Sequence, residues 1–216
     1  MNGKKELRYF KIGNSYGGNQ RWMIDPWMHI GGCAALTTCD AFIYLSLYKG
    51  LQGLCPYAPE KMGKKEYKKF AMSMKPYLQP RESGIKDLGT YMDGVRAYLE
   101  DVEEDRVTVT GLDGTAIYGN AEAAIRETID REMPVAYLML KHRDKKFDFF
   151  EWHWFLVIGY DESDGGFMIK VATYGKAHWL SLKELWDTGF DEKGGLVLFE
   201  ADQTEKEERD KTGDLR

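Results

Sequence analysis

Cys33 follows two glycines and opens the run Cys33-Ala34-Ala35-Leu36-Thr37-Thr38-Cys39, which continues to residue 47 without an internal Gly or Pro. Apolar residues at Ala35, Leu36, Phe42, Ile43, Leu45 and Leu47 predict a buried helix over 34–47, with Cys33 in its first turn. The unpaired N–H groups of a first turn and the helix dipole favour negative charge. A thiol placed there is expected to ionise more readily than a free one, and the thiolate is the nucleophile. Gly31 and Gly32, lacking Cβ, permit a sharp turn and the close approach of another backbone.

A nucleophilic thiol needs a base. Of the four histidines, His153 lies in Glu151-Trp152-His153-Trp154-Phe155-Leu156-Val157-Ile158-Gly159-Tyr160-Asp161, at the start of the most strand-like run in the chain. A histidine opening a core strand stands at the rim of a sheet, where a cleft against a helix terminus can form. Imidazole there could take the thiol proton and later hand it to the leaving group. His178, beside Trp179, is the second candidate. His29 lies four residues before Cys33 in an aromatic loop, and His142, among lysines and arginines, reads as solvated.

The elements that must bring Cys33 and His153 together change character along the chain. Helices are predicted over 60–74, from Met62, Tyr67, Phe70, Ala71 and Met74, and over 85–99, from Ile85, Leu88, Met92, Val95 and Leu99. A further helix opens at Asn120 as N-cap and ends at Met133-Pro134. Strands are predicted over 106–110, 135–140, 152–160, 166–173 and 196–200, with a short helix over 182–186 capped by Ser181. Residues 9–12 read as a small strand, 13–20 as a glycine-rich turn, and 21–30 as an aromatic loop broken by Asp25-Pro26. Helices first and an antiparallel sheet after is an α+β pattern. One domain over 1–200 is expected, with 201–216 a charged tail expected to be disordered.

With its glycine pair, its cysteine at a helix start, Pro134-Val135-Ala136-Tyr137 and His153-Trp154-Phe155-Leu156-Val157-Ile158-Gly159-Tyr160-Asp161, the chain resembles the papain-like cysteine peptidases over about 13–199, nearest to the bacterial bacteriocin-processing (double-glycine) branch. The resemblance implies a papain-like fold, with the nucleophile helix packed on a C-terminal antiparallel sheet. The family's nucleophile falls on Cys33 and its base on His153. Its oxyanion-stabilising Gln lies upstream of the cysteine, where Gln20 is the one glutamine; Asn19 is the rival. Trp27, at the more usual spacing, cannot donate in that way. The Asn or Asp that orients the family's histidine falls here on Ala172 or Thr173, and of these only Thr173 has a side chain that can accept an imidazole N–H.

The reading is a thiol hydrolase cleaving a peptide or amide bond through Cys33 and His153, with a peptide or protein as substrate and small residues beside the scissile bond. The departure at Thr173 keeps open a catalytically weak or inactive peptide-binding module on the same fold. Acyl transfer instead of hydrolysis would use the same residues. No metal or organic cofactor is implied, since no Cys/His spacing suits a structural zinc site.

A formal net charge of −5 gives no electrostatic footprint for nucleic acid or an anionic membrane. An apolar content of 43% in 216 residues supplies ample core. Three cysteines do not make a disulfide scaffold, and the polar start has no signal-peptide core; together with the lack of a membrane-length apolar run these predict a cytoplasmic protein.

Overall fold

The computed structural model describes residues 3–202. The chain is α+β. Seven strands form one antiparallel sheet in the order β4 (Val107–Asp113), β9 (Gly195–Ala201), β5 (Val135–Met139), β6 (His153–Asp161), β7 (Met168–Thr173), β8 (Lys176–Ser181). The seventh, β1 (Lys4–Glu6), pairs with residues 159–161 of β6 beyond the stretch that β5 covers. A separate two-stranded ribbon joins β2 (Lys11–Ile12) to β3 (Ser15–Tyr16). Among the described residues, no helix is long and apolar enough to cross a membrane.

Helix α2 (Cys33–Tyr48) packs on β6 and is the buried helix the sequence predicts. Every residue from Cys33 through Ser46 is buried, which is why its apolar residues are not confined to one stripe. Around it lie α3 (Lys64–Met74), with Tyr67, Phe70, Ala71 and Met74 inward, α4 (Leu88–Asp101) and α5 (Tyr118–Asp130). The helix expected from 85 starts instead at Leu88, because Asp87 caps α4 by accepting the Thr90 N–H at 2.7 Å; Ser181 caps the short α6 (Leu182–Trp186), as predicted.

Two expectations need correction, and one strand carries no local signal. Residues 21–30 are not a loop: a 3-10 turn over Gln20–Trp22 leads into α1 (Pro26–Gly31). Asp25 accepts the Met28 N–H at 2.9 Å and Pro26 takes the first helical position, so Asp-Pro starts a helix here where it was expected to break one. Helix α5 starts at Tyr118, placing Asn120 inside its first turn and not at the cap. Strand β1 is polar and carries no sequence signal; it exists because the far end of β6 offers an unpaired edge. The expected tail lies, from 203 onward, outside the described residues.

Candidate active site

The two glycines before Cys33 serve a corner. Gly31 ends α1, Gly32 caps α2, and both stand where backbone crowds them. A Cβ on Gly31 would lie 2.1 Å from the Arg81 carbonyl oxygen, and one on Gly32 would lie 2.4 Å from that of Met28. Cys33 therefore sits at the first position of α2 with the turn at 81–84 against it. Gly84, at φ +66, closes that turn: a Cβ there would be 3.7 Å from the Cys33 sulfur and equally far from the Trp152 carbonyl oxygen.

The sheet side arrives through β6 and β7. His153 opens β6, and pairing of Leu156 with Ala172 brings the end of β7 alongside it. The His153 Nε2 lies 2.7 Å from Thr173 Oγ1. With the neutral ring protonated on Nε2, Thr173 accepts that hydrogen and Nδ1 is left with its lone pair. The ring of Tyr174, next along the chain at φ +48, stacks on the imidazole with centroids 4.6 Å apart and planes 3° from parallel. Its hydroxyl lies 3.5 Å from Nδ1, at the outer limit of a hydrogen bond.

Trp154 holds the two sides together. Its indole N–H donates to the Ile85 carbonyl at 2.8 Å, and its ring stacks on Tyr91 at 4.0 Å. The Tyr91 hydroxyl in turn meets Thr38 Oγ1, one turn along α2 from Ala34, at 2.7 Å. The strand that presents His153 is thus tied to α4 and to the helix that presents Cys33.

Cys33, His153, Gln20 and Thr173 line a single cavity, together with Tyr174, Asp40 and Tyr67. They come from four separate stretches of chain. The cavity measures about 20 Å³, room for about one water. The four are 4%, 5%, 5% and 8% exposed, in that order, so the site is closed.

Burial governs its protonation. It pushes the Cys33 thiol up, by more than the N–H groups of Trp154, Ala34 and Cys33 itself pull it down. This corrects the expectation of an easily ionised thiol: the helix start acts as predicted, but desolvation outweighs it. Burial also pushes His153 down to about 3. In the closed site at neutral pH the pair is a thiol and a neutral imidazole.

Gln20 donates from Nε2 to the His29 carbonyl at 3.0 Å and keeps a second N–H on the same nitrogen; its Oε1 is buried without a partner among the described residues. Asn19 has other work. Its Oδ1 accepts the Arg21 N–H at 2.9 Å and its Nδ2 donates to the Tyr174 carbonyl at 2.8 Å, clasping the turn before Gln20 to the turn after Thr173. Ala172 lines the cavity but can orient nothing. His178 lies on β8, its ring against Phe149 and Phe150, and is not part of the cavity wall. His142 is buried and not solvated: its Nε2 meets the Glu184 carbonyl at 3.0 Å and its Nδ1 accepts the Asp144 N–H at 2.9 Å.

Two contributors escape sequence reasoning. Tyr174 has no local pattern marking it as the cover of His153. The turn at 81–84 comes against Cys33 because Gly31 leaves room for the Arg81 carbonyl, and no local pattern marks it. No family model matches the chain, and no curated protein matches it in sequence.

Proposed function

We propose that the chain is a papain-like thiol hydrolase acting on peptide or amide bonds. Cys33 Sγ attacks the carbonyl carbon while His153 takes the thiol proton on Nδ1, since Nε2 is engaged by Thr173. The Cys33 backbone N–H and the free Gln20 Nε2 hydrogen stabilise the oxyanion. The imidazolium then protonates the leaving amine, and water hydrolyses the thioester with His153 again as base. Thr173 orients the ring as a neutral acceptor, supporting the imidazolium less than a carboxylate would.

The observation that supports this reading is the convergence of one cysteine, one histidine, the histidine's hydroxyl partner and a buried amide on one cavity. Productive binding requires the turn at 81–84 to move off the sulfur. Movement of that turn admits water to the pair, and the re-solvated pair favours thiolate and imidazolium.

The experiment is alkylation by a small electrophile, mapped to each cysteine by mass spectrometry. Cys33 should label faster than Cys39 and Cys55, and His153→Ala should slow Cys33 at least tenfold while leaving the other two unchanged. Equal, slow labelling of all three, indifferent to His153, would sink the hydrolase.

The closed cavity and the neutral pair favour a second reading, a peptide-binding module on the same fold. It predicts that Cys33→Ser binds peptides as the parent does and that neither protein turns over.

A further inference from the structure

Asp40 lies two turns along α2 from Cys33 and is a buried carboxylate that the reaction above does not use. Its oxygens accept from the Tyr9 hydroxyl at 2.8 Å, the Tyr67 hydroxyl at 2.8 Å, and the Gly18 N–H at 3.0 and 3.1 Å. These donors come from the segment between β1 and β2, from α3, and from the turn after β3. The other titratable groups nearby are Cys39 on α2 and Tyr16 beyond Tyr9.

The turn it holds fits it closely. Gly17 has φ +71, and a Cβ there would lie 2.3 Å from Asp40 Oδ2; a Cβ on Gly18 would lie 1.8 Å from the Tyr67 hydroxyl. The Gly17-Gly18 pair is thus a seat cut to the carboxylate and phenol beneath it. The next residues are Asn19, which clasps Tyr174, and Gln20, the proposed oxyanion donor. Gly18, Gln20, Asp40, Tyr67 and Cys33 all face the one cavity.

We propose that the Asp40 carboxylate is the positioning residue of the oxyanion side, holding the Gly18 N–H so that the Gln20 amide stands over the Cys33 sulfur. The inference rests on the hydrolase reading. A carboxylate accepts from all three donors; once protonated it is a weaker acceptor and one oxygen carries a hydrogen, so its hold on the Gly18 N–H weakens. Burial raises the Asp40 carboxyl to about 6, against the pull of Tyr67, Tyr9 and Gly18. The seat therefore loosens as the pH falls through about 6.

The test compares two rates on the full chain between pH 5 and 8. Iodoacetamide alkylation of Cys33 reads the thiolate alone. Acylation by p-nitrophenyl acetate reads the thiolate and the oxyanion donors together. In the parent, the ratio of acylation to alkylation should fall about tenfold through an inflection near pH 6. Asp40→Asn, which cannot titrate, should abolish the inflection. Tyr9→Phe removes one hydrogen bond to the charged form, so the inflection should move upward by about half to one pH unit; this variant keeps the test decisive where Asp40→Asn folds poorly. A ratio flat with pH in the parent, or an inflection unmoved in Tyr9→Phe, overturns the proposal while leaving a reactive Cys33 intact. Acylation that persists in Cys33→Ala overturns the hydrolase itself, and the positioning role with it.

Discussion

The helical wall of the cavity buries a carboxyl and its sheet wall buries an imidazole, with opposite consequences. On the helical wall Asp40 is satisfied by three donors and its carboxyl is raised to about 6. On the sheet wall His153 has Thr173 and the Tyr174 ring for company and is pushed down to about 3. Between about pH 3.8 and 6 the folded chain holds a proton on Asp40 that the unfolded chain has released, so Asp40 adds stability as the pH falls. Between about pH 6.5 and 3 the unfolded chain protonates His153 while the folded one does not, so His153 takes stability away over much of the same range. A donor cage lets a carboxylate be buried near neutrality, whereas an imidazole under an aromatic ring is buried only by staying neutral.

The sharpest way to break this comparison is to remove the imidazole. On the hydrolase reading, His153→Ala should lower turnover about 10²–10⁴-fold, measured as kcat/KM on a chromogenic ester or amide; a smaller loss moves the base elsewhere. Thermal melts at pH 7, 5 and 4 separate the two walls next. The parent should lose stability on acidification, since the His153 shift is the larger. His153→Phe should flatten that loss and Asp40→Asn should steepen it. A parent whose midpoint rises in acid would reverse the ranking of the two groups.

A smaller effect sits at the corner between the walls. Gly31→Ala drives a methyl against the Arg81 carbonyl, which should cost about 1–3 kcal/mol in chemical denaturation. By pushing the turn at 81–84 outward, it should also speed alkylation of Cys33; unchanged labelling would show that this turn does not guard the sulfur. The mildest change is Thr173→Val, which keeps shape and deletes the hydroxyl. It should cost about 1 kcal/mol of stability and about tenfold in kcat at unchanged KM. Thr173→Asn, able to accept the same N–H, should recover part of the kcat.

Much of this arrangement is legible in the chain because it is written locally. The apolar run after Cys33, the cap at Ser181 and the strand opening at His153 each follow from neighbouring residues. The family resemblance narrows the orienting position to Ala172 or Thr173, and Thr173 is picked because only its side chain has an acceptor. Where local signals mislead, a competing local rule prevails: Asp25-Pro26 reads as a breaker, yet Asp is a good N-cap and Pro a good first helical residue. His142 reads as solvated from its charged neighbours, yet two backbone partners pay for its burial.

The residue types and their order by themselves placed one cysteine at a helix start and one histidine at a strand start, while the family resemblance pointed to the hydroxyl that closes β7 and to one upstream glutamine. Only the tertiary structure decided how those groups are set for reaction. Desolvation outweighs the helix dipole at Cys33, Tyr174 folds back over an imidazole 21 residues away, and the turn at 81–84 lies on the sulfur. Each of these depends on what surrounds a group in space. Solvent exclusion and ring contact between distant stretches leave no period, cap or spacing in the chain from which they could be read.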